Sequence, residues 1–160
     1  MRLPQGRIVA ALAAVVILAF AGIASAQSDP AVGTWALNTA KSKYDPGPMP
    51  KSNTITITVA PNGIHVVAKG MDAAGKPTGI DYTATYDGKD AAVKGAPAYD
   101  TTSLKRVDAS TTEQTRKKEG KTVQTVTRKI SADGKTMTVT TRGKDENGRT
   151  LNTVAVYDKQ

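Results

Sequence analysis

Residues 121–158 read KTVQTVTRKISADGKTMTVTTRGKDENGRTLNTVAVYD and separate into strand-like segments joined by two tight turns. The segments are Thr122–Ser131, Thr136–Lys144 and Thr150–Asp158. They are rich in Thr and Val, which suit the half-buried, pleated surface of a sheet. Asp133-Gly134 and Asn147-Gly148 lie between the segments and supply the positive φ angles that a two-residue hairpin turn needs. This pattern predicts antiparallel strands that follow one another along the chain.

The same succession of strands and turns extends upstream. In Asn53–Ala60 (NTITITVA) apolar residues alternate with threonines, as expected for a strand with one buried face. Further segments with strand character are Gly33–Leu37, Ile64–Gly70, Ile80–Tyr86, Ala91–Lys94, Asp100–Val107 and Thr111–Lys118, with turns at Asn62-Gly63, Asp87-Gly88 and Glu119-Gly120. After residue 26 no segment shows helical periodicity with caps. The sequence therefore predicts an all-β domain of about ten short strands.

The composition favours a closed barrel over a sandwich. After residue 26 the tryptophan Trp35 is accompanied by few leucines, so large apolar side chains are scarce for a solid core. Closing the sheet removes its exposed edges and allows an interior that is partly hollow or polar. We therefore predict a single up-and-down antiparallel β-barrel of about 8–10 strands, preceded by a signal-peptide helix. The chain has no cysteine, so burial and strand pairing must hold this domain without disulfides.

The N-terminus has the features of an export signal. Arg2 and Arg7 precede the apolar run Ile8–Phe20, and Ala24-Ser25-Ala26 provides the small residues that a signal peptidase reads. We expect a signal peptide over residues 1–26, one barrel domain over residues 27–160, and a periplasmic or secreted protein. An uncleaved anchor is the alternative, because the apolar stretch approaches the ~20 residues that span a bilayer. Without residues 1–26 the chain has 20 basic and 14 acidic residues, a net charge of +6.

A family resemblance follows from this layout. The Gly33-Thr34-Trp35 triplet, a rim segment and a long meander ending in Val156-Tyr157-Asp158-Lys159 resemble the lipocalin and fatty-acid-binding-protein superfamily, and more narrowly small secreted bacterial lipocalin-like proteins of undefined function. The resemblance implies that Trp35 plugs the closed end of the barrel. Intracellular fatty-acid binders carry an Arg two residues before a Tyr on the last strand, whereas this chain has Ala155 before Tyr157. In this respect the chain departs from the family, and carboxylate binding by that route is not expected.

The segments that flank the first strand carry no strand pattern. Gln27–Val32 is expected to be a short disordered lead. After the first strand, alternate prolines within Asp45–Pro50 enforce an extended path in place of the helical lid of the fatty-acid binders. Such a segment is either a crossover around the barrel rim or a functional loop.

The sequence gives no catalytic or metal-binding constellation. His65 is the one histidine and lies on a strand, where it has no cysteine or second histidine as a partner. Most aspartates fall in turns, and neither Asp87–Asp90 nor Asp145–Gly148 has the spacing of a calcium loop. We therefore predict a protein that is not an enzyme and that needs no metal or cofactor, with an enzyme as the least favoured class.

Two groups of residues are candidates for binding. Trp35, Tyr82, Tyr86 and Tyr157 combine apolar rings with polar groups and suit the lining of a ligand cavity, although they equally suit ordinary packing. The second group is basic, with Arg116, Lys117, Lys118 and Lys121 around one hairpin tip. It is either a solvated tip or a contact for an anionic envelope component. Aromatic residues are not interleaved with these charges, which argues against nucleic acid as a partner.

These groups support two hypotheses. In the first, an exported barrel holds a small hydrophobic or amphipathic ligand in its interior without catalysis. In the second, the barrel is filled by its own side chains and acts as an envelope accessory through the basic tip and the Asp45–Pro50 segment. The mature form is not expected to span a membrane in either case.

Overall fold

The computed structural model describes residues 28–160, and these residues form a single ten-stranded sheet. The strands are β1 (Gly33–Leu37), β2 (Ser52–Ala60), β3 (Gly63–Met71), β4 (Pro77–Thr85), β5 (Ala91–Ala92), β6 (Thr101–Arg106), β7 (Thr111–Lys118), β8 (Lys121–Ile130), β9 (Thr136–Lys144) and β10 (Thr150–Lys159). The expected signal peptide and its helix lie outside the described residues. Within residues 28–160 no helix has the length and apolar character needed to cross a membrane.

The sheet is antiparallel throughout and runs in the order β4-β3-β2-β1-β10-β9-β8-β7-β6-β5. Sequence neighbours therefore pair with each other except β4 and β5, which lie at the two ends of this order, and β1 pairs with both β2 and the last strand, β10. Residues point alternately inward and outward, as Ile55 and Ile57 of β2 show, since both are buried while Thr58 beyond them is exposed. The predicted all-β, up-and-down barrel of about 8–10 strands is confirmed.

The barrel closes between β4 and the β5–β6 side, where strand pairing is reduced to isolated bridges. Asp81 of β4 exchanges two backbone hydrogen bonds with Lys94, at 3.1 and 2.9 Å. Nearer the other end, the Gly88 amide donates to the Leu104 carbonyl at 2.9 Å. We call this line of sparse pairing the seam. Because few backbone bonds cross it, other contacts must help to keep the wall closed.

The N-terminal segment seals one end of the barrel, which we call the closed end. Trp35 is fully buried there, and its indole N–H donates to the Ala31 carbonyl at 2.8 Å. The Asp29 carboxylate accepts hydrogen bonds from the Tyr86 hydroxyl and from the Arg106 guanidinium. Tyr86 follows β4 and Arg106 ends β6, so Asp29 ties together the two sides of the seam. The prediction of a disordered lead was wrong for residues 28–32, because these long-range contacts are invisible in the local sequence.

The charge of Asp29 is matched to this role. Burial opposes its ionisation, but hydrogen bonds from Tyr86, from the Ala31 amide and from Arg106 outweigh that effect and hold the pKa of Asp29 below its ordinary value. Burial and the bond to Asp29 raise the pKa of Tyr86. Tyr86 therefore remains a hydrogen-bond donor and Asp29 an anionic acceptor at neutral pH.

One hairpin loop differs from prediction in position. Asn62-Gly63 is displaced by one residue: Ala60 pairs with Gly63, which leaves Pro61-Asn62 as the loop, with φ of 56° at Asn62. Gly63 lies within β3, where an added Cβ would stand 2.0 Å from the carbonyl oxygen of Ala84. Glycine is required there by the close approach of β4 rather than by a turn.

Two other loops are longer than the predicted two residues. The Ser131 amide donates to the Thr136 carbonyl, so Asp133-Gly134 belongs to a four-residue loop. The Asp145 amide donates to the Arg149 carbonyl, so the loop that contains Asn147-Gly148 has three residues. A glycine with positive φ serves longer loops as well as two-residue turns, so the dipeptide alone does not fix the length. The two-residue turn with both φ angles positive is Glu119-Gly120, at 50° and 76°.

After β1 the regular strand ends, and the chain then pairs with β10 a second time. A 3₁₀ turn at Thr39–Lys41 is capped by the side chain of Asn38. The chain then resumes pairing, as Lys43 exchanges two backbone bonds with Val154 of β10, each 2.8 Å long. This return places Tyr44 beside the barrel interior, opposite the closed end.

Candidate functional site

A cavity of about 270 Å³ lies inside the barrel. Part of its lining is apolar and comes from Ile55, Val66, Ala68, Ile80, Val139, Leu151 and Ala155. The cavity shares Asn53, Ala68 and Ile80 with a wider groove of about 790 Å³ at the rim, which the hairpins carrying Asp72 and Glu146 border. The interior volume lies just below the range of typical small-molecule pockets, and the groove extends it outward.

One side of the cavity is basic. We call Arg116 of β7 together with Gln124 and Arg128 of β8 the basic wall. Arg116 donates to the Gln124 amide oxygen at 3.0 Å, and its guanidinium lies 4.6 Å from the ring centroid of Tyr99. Arg128 is only 5 % exposed and makes one side-chain hydrogen bond, to the Tyr82 hydroxyl at 3.3 Å.

The two guanidinium groups are incompletely paired. Nε of Arg116, and both Nε and Nη1 of Arg128, are buried without a hydrogen-bond partner among the described residues. No aspartate or glutamate in residues 28–160 lines this cavity. Buried charges in proteins are normally paired, so two unneutralised arginines in one cavity mark it as a site suited to an anion.

The position of Arg116 corrects the sequence prediction. It was assigned to an exposed basic tip because three further basic residues follow it closely. Alternation along β7 instead places it on the inner face with the buried residues Thr112 and Gln114. On β8 the same alternation places Arg128 inward with Val126 and Ile130. The alternation of every second residue along β7 and along β8 would have predicted that Arg116 and Arg128 face the interior.

The remainder of the basic tip lies outside, and much of its charge is paired. The Lys117 ammonium contacts both carboxylate oxygens of Asp90 at 2.8 and 2.9 Å. Lys118 lies 3.9 Å from Asp100, whereas Lys121 is exposed. The tip therefore offers less free positive charge than its sequence suggests.

A polar network lies next to the basic wall. The Gln114 amide donates to Thr102 at 2.8 Å and to the Tyr82 hydroxyl at 3.4 Å, and all three residues are buried. Tyr82 thus receives hydrogen bonds from both Gln114 and Arg128. This network holds Arg128 against one side of the cavity and limits its freedom to turn away.

The other side of the cavity carries neutral polar groups, which we call the polar wall: Tyr44, Asn53, Thr153 and Tyr157. The Asn53 amide donates to the Tyr157 hydroxyl at 3.0 Å. Burial raises the pKa of both Tyr44 and Tyr157, so their hydroxyls stay protonated at neutral pH. Thr153 is 6 % exposed, and its hydroxyl has no hydrogen-bond partner among the described residues.

The four aromatic candidates separate into two places. Tyr82 and Tyr157 line the cavity. Trp35 and Tyr86 lie at the closed end, where Trp35 is packed beneath the N-terminal segment and Tyr86 is bonded to Asp29. The sequence prediction grouped them because it rested on residue type, which carries no information on the end of the barrel that a side chain reaches.

The described residues contain no group of three or more histidine, aspartate or glutamate side chains able to hold a metal ion. His65 lies 3.0 Å from Asp81, with both side chains well exposed on the outer surface of the barrel. His65 therefore lies outside the cavity.

Comparison with known proteins identifies the architecture. No family model matches the sequence, and no curated protein sequence matches it. Among solved structures, zebrafish ileal bile acid-binding protein complexed with cholic acid aligns with a TM-score of 0.51 at 10 % sequence identity, over 82 % of this chain and 99 % of that one. The chain has the fatty-acid-binding-protein-like barrel fold. At this identity the likeness establishes the fold alone.

Proposed function

We propose that the protein is a non-catalytic binding protein that holds an amphipathic molecule by its acidic group inside the barrel. The observation that carries this proposal is the basic wall, where the buried Arg128 and the half-buried Arg116 have buried N–H donors without a partner among the described residues and no lining carboxylate. A carboxylate, sulfonate or phosphate accepts such donors through short, charge-assisted hydrogen bonds. Arginine is well suited to this task because its planar fork can hold two oxygens of one anion.

The energetics favour a ligand as the partner of these arginines. A buried charge without a partner costs several kcal/mol, about as much as removing one member of a buried ion pair. A sequence with 14 acidic residues places none of them in this cavity, so folding alone does not recover that cost. An acidic ligand pairs with these arginines and removes that free-energy cost, which contributes to the affinity for the ligand.

The rest of the site accounts for the amphipathic character of the ligand. Ile55, Val66 and Val139 present aliphatic surface beside the arginines, and the rim groove continues the space outward. A ligand with its acidic group on the basic wall has room for an apolar body along this surface. The zebrafish bile acid-binding protein, crystallised with cholic acid, shows that a barrel of this shape accepts an amphipathic acid.

The proposal includes export. The charged start, apolar run and small residues of the first 26 positions have the features of a cleavable signal, which suits a periplasmic or secreted protein. A role as a surface-acting envelope module has less support, because Lys117 and Lys118 are engaged by Asp90 and Asp100. The interior arginines offer a better site for an anion.

Isothermal titration calorimetry of the purified protein tests the function. Dodecanoate and cholate are the acidic probes, and dodecanol is the uncharged counterpart of the first. We expect the acid to bind more tightly than the alcohol by about tenfold or more, since a hydrogen bond to a charged group contributes about 1.5–3 kcal/mol. Equal affinity for dodecanoate and dodecanol, or no binding of either acid, would contradict the proposal.

The chain provides matched controls, because each interior arginine is followed by an outward-facing lysine. Arg116→Met and Lys117→Met remove the same charge from adjacent positions, one inside the barrel and one outside. We expect the first to weaken dodecanoate binding by about tenfold or more and the second to leave it within about twofold. Similar losses in both variants would show that overall charge, and not the basic wall, sets the affinity.

A further inference from the structure

The polar wall is not explained by the binding of an acidic group. Thr153 of β10 is more than nine-tenths buried, lines the cavity, and has a hydroxyl without a hydrogen-bond partner among the described residues. Its neighbour across the ladder is Thr141 of β9, which also lines the cavity. Valine has the same shape as threonine and would fill this position without leaving a polar group unpaired.

Tyr157 provides a second hydrogen-bonding group on the same strand. Its hydroxyl oxygen accepts a hydrogen bond from Asn53, which leaves its own hydrogen available for donation. Ala155 lies between Thr153 and Tyr157 on the inner face, and its small side chain keeps the space between the two hydroxyls open. An unbranched alkyl chain lying along this wall would leave the Thr153 hydroxyl without a partner and the Tyr157 hydroxyl hydrogen without an acceptor from the ligand.

We propose, on the basis of the proposed function, that the polar wall recognises a hydroxyl group on the ligand. The ligand class is then a hydroxylated amphipathic acid: its acidic group lies on Arg116 and Arg128, and its hydroxyl lies between Thr153 and Tyr157. Thr153 and Tyr157 are the specificity-determining residues, because a hydroxyl both donates and accepts and thus satisfies either of them. Unsubstituted fatty acids bind more weakly, since they leave the buried Thr153 hydroxyl unpaired and offer no acceptor to the Tyr157 hydroxyl.

The test compares acids that differ by a hydroxyl group. Calorimetric titrations use 12-hydroxydodecanoate against dodecanoate, and 4-hydroxycinnamate against cinnamate as a more compact pair. We expect the wild-type protein to prefer the hydroxylated member of at least one pair by about fivefold to tenfold, the worth of one net hydrogen bond. If both acids of each pair bind with equal affinity, this inference is overturned while the proposed function stands. If no acid binds, both fail.

Two variants assign the preference to the polar wall. Thr153→Val is expected to reduce the hydroxyl preference to about twofold or less, while the affinity for the unsubstituted acid stays the same or rises, because the buried unpaired hydroxyl is gone. Tyr157→Phe tests independently whether the Tyr157 hydroxyl contributes to the same preference. Thr138→Val, on the outward face of β9, is the control and keeps the full preference. Retention of the preference in both cavity variants would overturn the assignment.

Discussion

Replacing Arg128 with methionine should make the ligand-free protein more stable while it weakens the binding of an acidic ligand. Arg128 is 5 % exposed, and a single hydrogen bond, 3.3 Å long, links its side chain to the Tyr82 hydroxyl. Its Nε and Nη1 groups have no partner among the described residues. Methionine is a flexible apolar side chain that can fill much of the same space without a charge.

The magnitude follows from these contacts. Each unsatisfied buried donor costs about 1–3 kcal/mol, so the two unpaired nitrogen atoms together cost more than the one long hydrogen bond to Tyr82 contributes. Substitution of buried ionic groups by apolar residues stabilises other proteins by about 1–4 kcal/mol. We expect Arg128→Met to raise the free energy of unfolding by about 1–3 kcal/mol, or the Tm by roughly 4 °C for each kcal/mol.

Urea unfolding followed through Trp35 fluorescence measures the stability, and titration with dodecanoate measures the binding. Trp35 is fully buried in the wild-type structure, so its emission should shift strongly when the barrel opens. Lys129→Met is the control, since Lys129 is the next residue of β8 and its side chain is exposed. A loss of more than about 1 kcal/mol in Arg128→Met, with Lys129→Met unchanged, would show that Arg128 is a structural residue and refute the reasoning.

Further predictions concern the closed end, the strand contacts and the outer ion pairs. Asp29→Asn should lower the free energy of unfolding by about 1–2 kcal/mol at pH 7. Because the folded-state pKa of Asp29 lies below its unfolded value, this contribution is complete above about pH 4 and is lost as the pH falls through the folded-state pKa, so urea titrations of the variant and wild type should converge in acid. Gly63→Ala should destabilise by more than about 2 kcal/mol, since its Cβ would stand 2.0 Å from a backbone oxygen, whereas Gly79→Ala meets its nearest atom at 3.6 Å and should change stability by less than about 1 kcal/mol, as thermal unfolding would show. Lys117→Met should cost less than about 1 kcal/mol by the same measurement, because surface ion pairs contribute little.

The strands were predictable because their information is local. In Thr54–Val59 every second residue is apolar, and a pattern of period two fixes both the strand and its inner face. The turn dipeptides marked where hairpins reverse but left the loop lengths open. Pairing partners on both sides determine that length, as for the four-residue loop around Asp133-Gly134.

The site was harder to predict because it depends on contacts between distant positions. Asp29 meets Tyr86 and Arg106 across 57 and 77 residues, and no local pattern in the lead segment indicates that meeting. The inward position of Arg116 could have been predicted from the same alternation that identified the strands. The basic residues beside it favoured a solvated hairpin tip instead, although the periodicity of β7 indicated the interior.

The net positive charge of the barrel is divided between the inner and outer faces of its strands. Residues 28–160 carry 20 basic and 14 acidic side chains, a surplus that by itself suggests an anionic partner at the surface. Arg116 and Arg128 supply part of that surplus from inside the barrel, each directly followed by a lysine on the outside. A charge inside a low-dielectric wall acts far more strongly than one in water, and salt screens it less. Binding of an acid in the cavity should therefore depend less on ionic strength than binding to the Lys117–Lys121 surface would, so a steep loss of dodecanoate affinity with added salt would place the anion outside the barrel.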